Sequence, residues 1–369
     1  MTNPHLPQQA QQKNSSKRFL KYALQIVCMV AIFAALLWYV GLDSLLNELI
    51  GIKLEYLLLA FVMYFGINVF FAVRLQRVLA KDGIKTSFGK TLLAQYAGML
   101  TSDVTPGRSG YMLTPLYLKD QNVSTSKSLS AILGIQTIEF LVKVAGGVGA
   151  VLLLVNIVPM ATWDEVFKGS IFGINIGIVA ASLGIALMLT GAIVLAAFTW
   201  SKRAIGLFDR IANWRFLKRF TGKLIGKLEE YKESSHSTKN SIPSILGFTM
   251  ICWLLKGLEW YFLGLALGIT DIPWITYFLI HPLVTALAFV PITPAGIGVQ
   301  EFAIIGVLGL LGVPPATAGA FAIVARGLLI IEDLIGVPQV VKSTSLIFSR
   351  EKPQNMPPSP PITPHAPSA

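Results

Sequence analysis

Charge is scarce in this chain. Of its 369 residues only 13% are Asp, Glu, Lys or Arg, while 54% are hydrophobic. Soluble globular chains carry about 25% charged residues. Half that supply cannot coat the surface of a soluble protein this long, so an ordinary cytosolic enzyme, a disordered chain and a coiled coil are excluded. Cysteine is nearly absent. Cys28 and Cys252 each sit inside an apolar run, with no CxxC and no His pair at helical spacing, which excludes a disulfide scaffold and a clustered metal site. Only four histidines occur, and His5 and His365 lie in the tails. Enzyme signatures are missing as well: no GxSxG, no HExxH, no Walker sequence, and no paired aspartates suited to a metal-dependent transferase. We therefore expect no enzyme activity, no cofactor and no metal. The net charge of +11 falls in loops between apolar runs. That pattern sets membrane orientation and is not a nucleic-acid footprint, so no nucleic-acid partner is expected.

Long apolar runs are plentiful. A helix needs roughly 20 apolar residues to cross a bilayer core, and runs of that size occupy about 19–40, 54–73, 128–158, 169–199, 242–268 and 316–341. Residues 1–18 are polar and followed by no small-residue cleavage site, so 19–40 reads as a first span and not as a signal peptide. Lys13, Lys17, Arg18 and Lys21 place the N-terminus in the cytoplasm. Asp43, Glu48 and Glu55 then fall outside, and Arg74, Arg77, Lys81, Lys85 and Lys90 inside. Asp164 and Glu165 are outside, the basic loop 200–240 inside, Asp271 outside, and Lys342 and Arg350 inside. Both termini are thus expected in the cytoplasm of a multi-pass cell-membrane protein. Within the basic loop, Ile205, Phe208, Ile211, Trp214, Leu217 and Phe220 recur about every third residue. This is either an amphipathic helix on anionic lipid or a plain basic loop. Residues 343–369 hold the Pro-rich tail, read as disordered and cytoplasmic. Gly169, Gly173 and Gly177 read as a helix-packing stripe.

Two further apolar stretches, 88–118 and 274–312, are broken by Thr105-Pro106-Gly107-Arg108-Ser109-Gly110 and Thr293-Pro294-Ala295-Gly296-Ile297-Gly298. The two threonines are 188 positions apart; Glu139 follows Pro106 by 33 residues, and Arg326 follows Pro294 by 32. The orientation rule sends the two stretches into the membrane from opposite sides. Broken backbone at membrane depth survives only inside protein or against a watery cavity. The expected fold is therefore all-α and polytopic, with six full spans, two re-entrant hairpins and an inverted internal repeat; eight spans is the alternative. The membrane domain would cover 19–342, with halves at about 54–158 and 242–341.

Inverted repeats with broken helices are the architecture of many transporters. Prolines 106 and 294 end helices, while Gly107, Gly110, Gly296 and Gly298 let backbone approach a ligand closely. Charges inside the runs are costly and mark candidate sites. Glu139 and Lys143 are i,i+4 on one helix, and Lys256 and Glu259 are i,i+3 on another, spacings that also suit simple neutralisation. Glu301 and Arg326 lack near partners in sequence. They are expected to pair across the second hairpin or with Arg108 and Glu139, lining a cavity for a zwitterionic or phosphate-bearing group.

The segment Pro106-Gly107-Arg108-Ser109-Gly110, and the longer Pro291-Ile292-Thr293-Pro294-Ala295-Gly296-Ile297-Gly298-Val299-Gln300-Glu301 with Arg326 downstream, resemble the lysylphosphatidylglycerol synthase transmembrane family of flippase-like proteins. The resemblance covers about 20–341. It implies translocation of a membrane lipid or lipid-linked head-group or, alternatively, a non-catalytic subunit for a glycosyltransferase or lipid-modifying enzyme. Tyr111 stands where the family pattern usually continues with Glu, Thr114 replaces a following Arg, and Glu139-Phe140 stands for Glu-Arg. A stand-alone member without the aminoacyl transferase domain is expected, so lysyl transfer is not.

Overall fold

In the computed structural model the described residues run from 31 to 349, apart from 32–33, 36, 106–107, 202–229, 232, 236–237, 289–292 and 294–295. The polar N-terminal tail, most of the first apolar run, the 205–220 periodicity, the tail beyond 349, and Pro106, Gly107 and Pro294 lie outside the described residues. The elements are α1 (Leu42–Ile50), α2 (Leu54–Lys81), α3 (Phe88–Asp103), α4 (Thr114–Tyr117), α5 (Thr125–Ile157), α6 (Met160–Val166), β1 (Ser170–Ile171), β2 (Ile174–Asn175), α7 (Ile176–Trp200), α8 (Ile242–Ala266), α9 (Trp274–Leu287), α10 (Val299–Leu310), α11 (Pro315–Asp333) and α12 (Val337–Ser349). Short 3-10 turns cover Ser109–Leu113, Lys119–Gln121 and Leu334–Gly336. The described residues are all-α apart from one antiparallel ribbon of two two-residue strands.

Among the described residues four helices are long and apolar enough to cross a membrane: α2, α5, α7 and α8. A helix satisfies its own backbone, which hydrocarbon requires. The outward faces are apolar: Leu58, Val62, Leu152, Leu187, Ile193 and Leu254 are all exposed. Inside, α8 lies along α2, and α9 is wedged among α5, α7 and α8. Most of the core forms one cluster built on α2, α8, α9, α10 and α11, around buried Trp260, Tyr277 and Phe321. A second cluster joins the end of α2 to α3, α4 and α5 through Leu75, Leu79, Leu118, Ile132 and Ile135.

Four boundaries differ from the sequence reading. The second apolar run continues as helix to Lys81, since Arg74 and Gln76 find partners inside the protein. The run at 169–199 does not begin as a helix. Gly169 and Gly173 take φ of +120° and +77° around the ribbon, and α7 starts at Ile176, where Asn175 Oδ1 accepts from the Gly177 amide at 2.8 Å. The supposed glycine stripe is therefore a turn followed by a capped helix. The last run is interrupted after Asp333, because Gly336 packs against the α3 backbone at Tyr96 and Ala97. Helix α12 then extends to Ser349, past the expected start of the tail at 343.

Candidate functional site

Both sequence breaks produce short helices. Helix α3 has 16 residues, α9 has 14 and α10 has 12, each under the roughly 20 needed to cross. At the first break the chain turns back through hydroxyls. Thr105 Oγ1 accepts from the Gly110 amide at 2.6 Å, Ser102 Oγ donates to the Arg108 carbonyl at 3.2 Å, and Thr101 Oγ1 to the Gly110 carbonyl at 3.1 Å. Gly110 is held so tightly that a Cβ there would overlap the Thr101 carbonyl. Arg108 sits in the left-handed region at φ +55°, with its guanidinium 3.8 Å from Asp103.

At the second break Thr293 Oγ1 donates to the Ile297 carbonyl at 2.8 Å. Gly298, at φ +85°, precedes α10. Its amide donates to Glu301 Oε2 at 2.6 Å, and Glu301 Oε1 accepts from Arg326 Nε at 2.7 Å. Arg326 Nη2 also reaches Gln300 Oε1 at 3.2 Å. Glu301 thus ties the hairpin to α11. The two threonines that correspond in sequence each close their own break.

Between the breaks lies a cavity of about 460 Å³. Arg108 and Ser109 reach it from the first break, and Gly296 and Gln300 from the second. Helices α2, α5 and α8 supply Arg74, Glu139, Lys143 and Lys256, and α9 supplies His281. One wall is apolar: Met188, Gly191, Val194 and Leu195 of α7, with Phe140 and Leu329.

Of the residues singled out by sequence, Arg108, Glu139, Lys143, Lys256 and Gly296 face this cavity. Glu301 and Arg326 pair with one another and hold the second break in place, so the expected lining by that pair is replaced by Gln300 beside it. Glu139 and Lys143 meet at 2.8 Å, and Lys256 reaches both oxygens of Glu259 at 2.7 Å. Glu259 is fully buried behind Lys256.

The sequence places Arg74 at a cytoplasmic boundary. Its side chain is instead 1% exposed, 3.1 Å from Glu139 Oε2, with Nη1 donating to Thr249 Oγ1 at 2.7 Å. The signal that finds it is the apolar sequence on both sides, Phe70 to Val73 and Leu75, Val78 and Leu79. Two further carboxylates, Asp103 on α3 and Asp333 at the end of α11, are buried. Asp103 stands beside Arg108, and buried Asp333 accepts from the Tyr64 hydroxyl at 3.1 Å. Among the described residues no group of three His, Cys, Asp or Glu is placed to hold a metal ion.

Two relatives match along almost their whole length. A UPF0104 membrane protein of Pyrococcus horikoshii is 25% identical over 345 residues, covering 89% of this chain and 99% of the relative. A UPF0104 membrane protein of Methanothermobacter thermautotrophicus is 26% identical over 329 residues, covering 83% of this chain and 90% of the relative. The family model described as the lysylphosphatidylglycerol synthase transmembrane region matches residues 26–334. With its apolar helices, its two broken segments and this match over most of its length, the chain is a multi-pass membrane protein that belongs to the lysylphosphatidylglycerol synthase transmembrane family.

Proposed function

We propose that the protein moves a membrane lipid or lipid-linked head-group between leaflets of the cell membrane, through the cavity between its two breaks. The carrying observation is the cavity itself. It sets buried charge against one apolar wall, and both broken segments border it. An amphipathic ligand needs that combination: a polar pocket for its head and a hydrocarbon exit for its tail. The volume falls within the roughly 300–1,000 Å³ usual for small-molecule sites.

The order of parts supports an inverted repeat. A long apolar helix, a short helix and a break precede a further helix in each half, as α2, α3 and α5, and as α8, α9 and α11. In this reading both breaks are re-entrant, the termini are cytoplasmic, and the substrate crosses chemically unchanged. The chain acts as a carrier and not as an enzyme. Anionic lipid at the basic loop 200–240 would hold the cytoplasmic face in place.

The test is leaflet transfer of a labelled phospholipid in proteoliposomes. Transfer is expected to exceed that of protein-free vesicles, and Glu301→Ala or Arg326→Ala is expected to slow it severalfold in protein that still melts cooperatively. Absence of transfer, with the charged residues freely replaceable and a glycosyltransferase or lipid-modifying enzyme co-purifying, would overturn the reading in favour of a scaffold.

A further inference from the structure

We propose that the cavity takes an anionic head-group, a phosphate ester without a compensating ammonium, and seats it on Arg74 and Lys143 beside Glu139. The inference deepens the transport reading and rests on it for the passage of the tail. Charge arithmetic carries it. Among the described residues that line the cavity there are four cations, Arg74, Arg108, Lys143 and Lys256, and one carboxylate, Glu139. Lys256 has its own carboxylate in Glu259 at 2.7 Å, and Arg108 has Asp103 at 3.8 Å. Glu139 alone serves two cations, Lys143 at 2.8 Å and Arg74 at 3.1 Å. The triad therefore carries one uncompensated positive charge, with the Arg74 side chain 1%, Glu139 11% and Lys143 24% exposed, and an unpaired charge so largely withdrawn from water is costly.

A second observation points the same way. The Arg74 side chain is 1% exposed, yet among the described residues its Nε–H has no acceptor. Buried guanidinium donors are normally satisfied, and a planar fork with a spare N–H suits a phosphate oxygen. A cationic head-group would meet the triad's uncompensated positive charge. A zwitterionic one would carry its ammonium into the same field. The tail has a way out, because α7 lines the cavity with Met188 and Val194 while showing Leu187, Ile193 and Phe198 to the surroundings.

The experiment measures equilibrium binding of fluorescent phosphatidylglycerol and fluorescent phosphatidylcholine to the full-length protein, delipidated in neutral detergent. Inorganic phosphate and glycerol phosphate serve as competitors. Phosphatidylglycerol is expected to bind about tenfold or more tightly than phosphatidylcholine. Lys143→Gln is expected to abolish that preference and Lys143→Arg to keep it. Because Lys143→Gln leaves a neutral Arg74–Glu139 pair, the lipid-free variant is expected to melt no lower than the parent, whereas a purely structural Lys143 would lower the melting point. Equal affinity for the two lipids, a preference that survives Lys143→Gln, or a lowered melting point with Lys143→Arg also inactive, would each overturn the inference. Glycerol phosphate binding as tightly as the lipid would overturn the lipid assignment in favour of a soluble phosphate ester. Leaflet transfer without preference for the anionic lipid defeats this inference alone, and selective binding without transfer defeats the transport reading alone.

Discussion

Glu301 satisfies two groups at once, the Gly298 amide at 2.6 Å and the Arg326 guanidinium at 2.7 Å, while 2% exposed. Breaking a buried pair on one side strands the other charge, at a cost of about 3–5 kcal/mol. Arg326→Ala is therefore expected to lower stability by about that amount. The double variant Glu301→Gln with Arg326→Leu is expected to be less destabilised than the two single effects added, with a coupling of roughly 1 kcal/mol or more in a detergent unfolding cycle. Strict additivity would show that the pair does not hold the second break. At this scale, legibility in sequence followed separation along the chain. Glu139–Lys143 and Lys256–Glu259 are neighbours on single helices and could be read directly. Arg74 meets Glu139 across 65 positions, and no local spacing reports such a contact. Its place in a run of basic residues pointed to the membrane boundary instead.

The breaks are the elements on which the account turns. Gly110 has no room for a methyl group against Thr101, so Gly110→Ala must push the end of α3 away from the returning chain. A loss of about 1–3 kcal/mol is expected for such overpacking. Gly298→Ala keeps the amide that Glu301 accepts but forces a side chain into φ +85°, ψ −49°, a sparsely populated conformation that costs about 1–3 kcal/mol. Melting curves of the two variants check both values; a melt unchanged from the parent in either case would mean that the break relaxes freely. The positions of these breaks were legible from their Pro and Gly residues. Their closure by Thr105 and Thr293 was not, since a hydroxyl's partner depends on how the chain folds back. The ribbon at 170–175 is hidden in the sequence for a related reason. Glycine every fourth residue suits a packed helix, but Gly169 and Gly173 adopt positive φ and form a turn.

For the whole molecule, the apolar runs gave the membrane class and most helix positions, because span length is imposed by the bilayer and written in composition. The assembly of α2, α5, α8 and α9 around one cavity required the fold. Orientation can be checked separately in a Cys28→Ser background, where the remaining Cys252 is buried. A cysteine at Lys85 is expected to react with an impermeant maleimide only after cells are opened, and one at Asp271 in intact cells. Reactivity of both from one side would contradict oppositely directed breaks.

The most direct measurement is the leaflet-transfer rate of fluorescent phosphatidylglycerol in proteoliposomes holding the parent protein or Gly191→Trp, which puts a large side chain at a cavity-lining position of α7 and removes no charged residue. The account predicts transfer well above protein-free vesicles for the parent and a rate near that background for the variant. Equal rates from both proteins, or a parent no faster than bare vesicles, would contradict it.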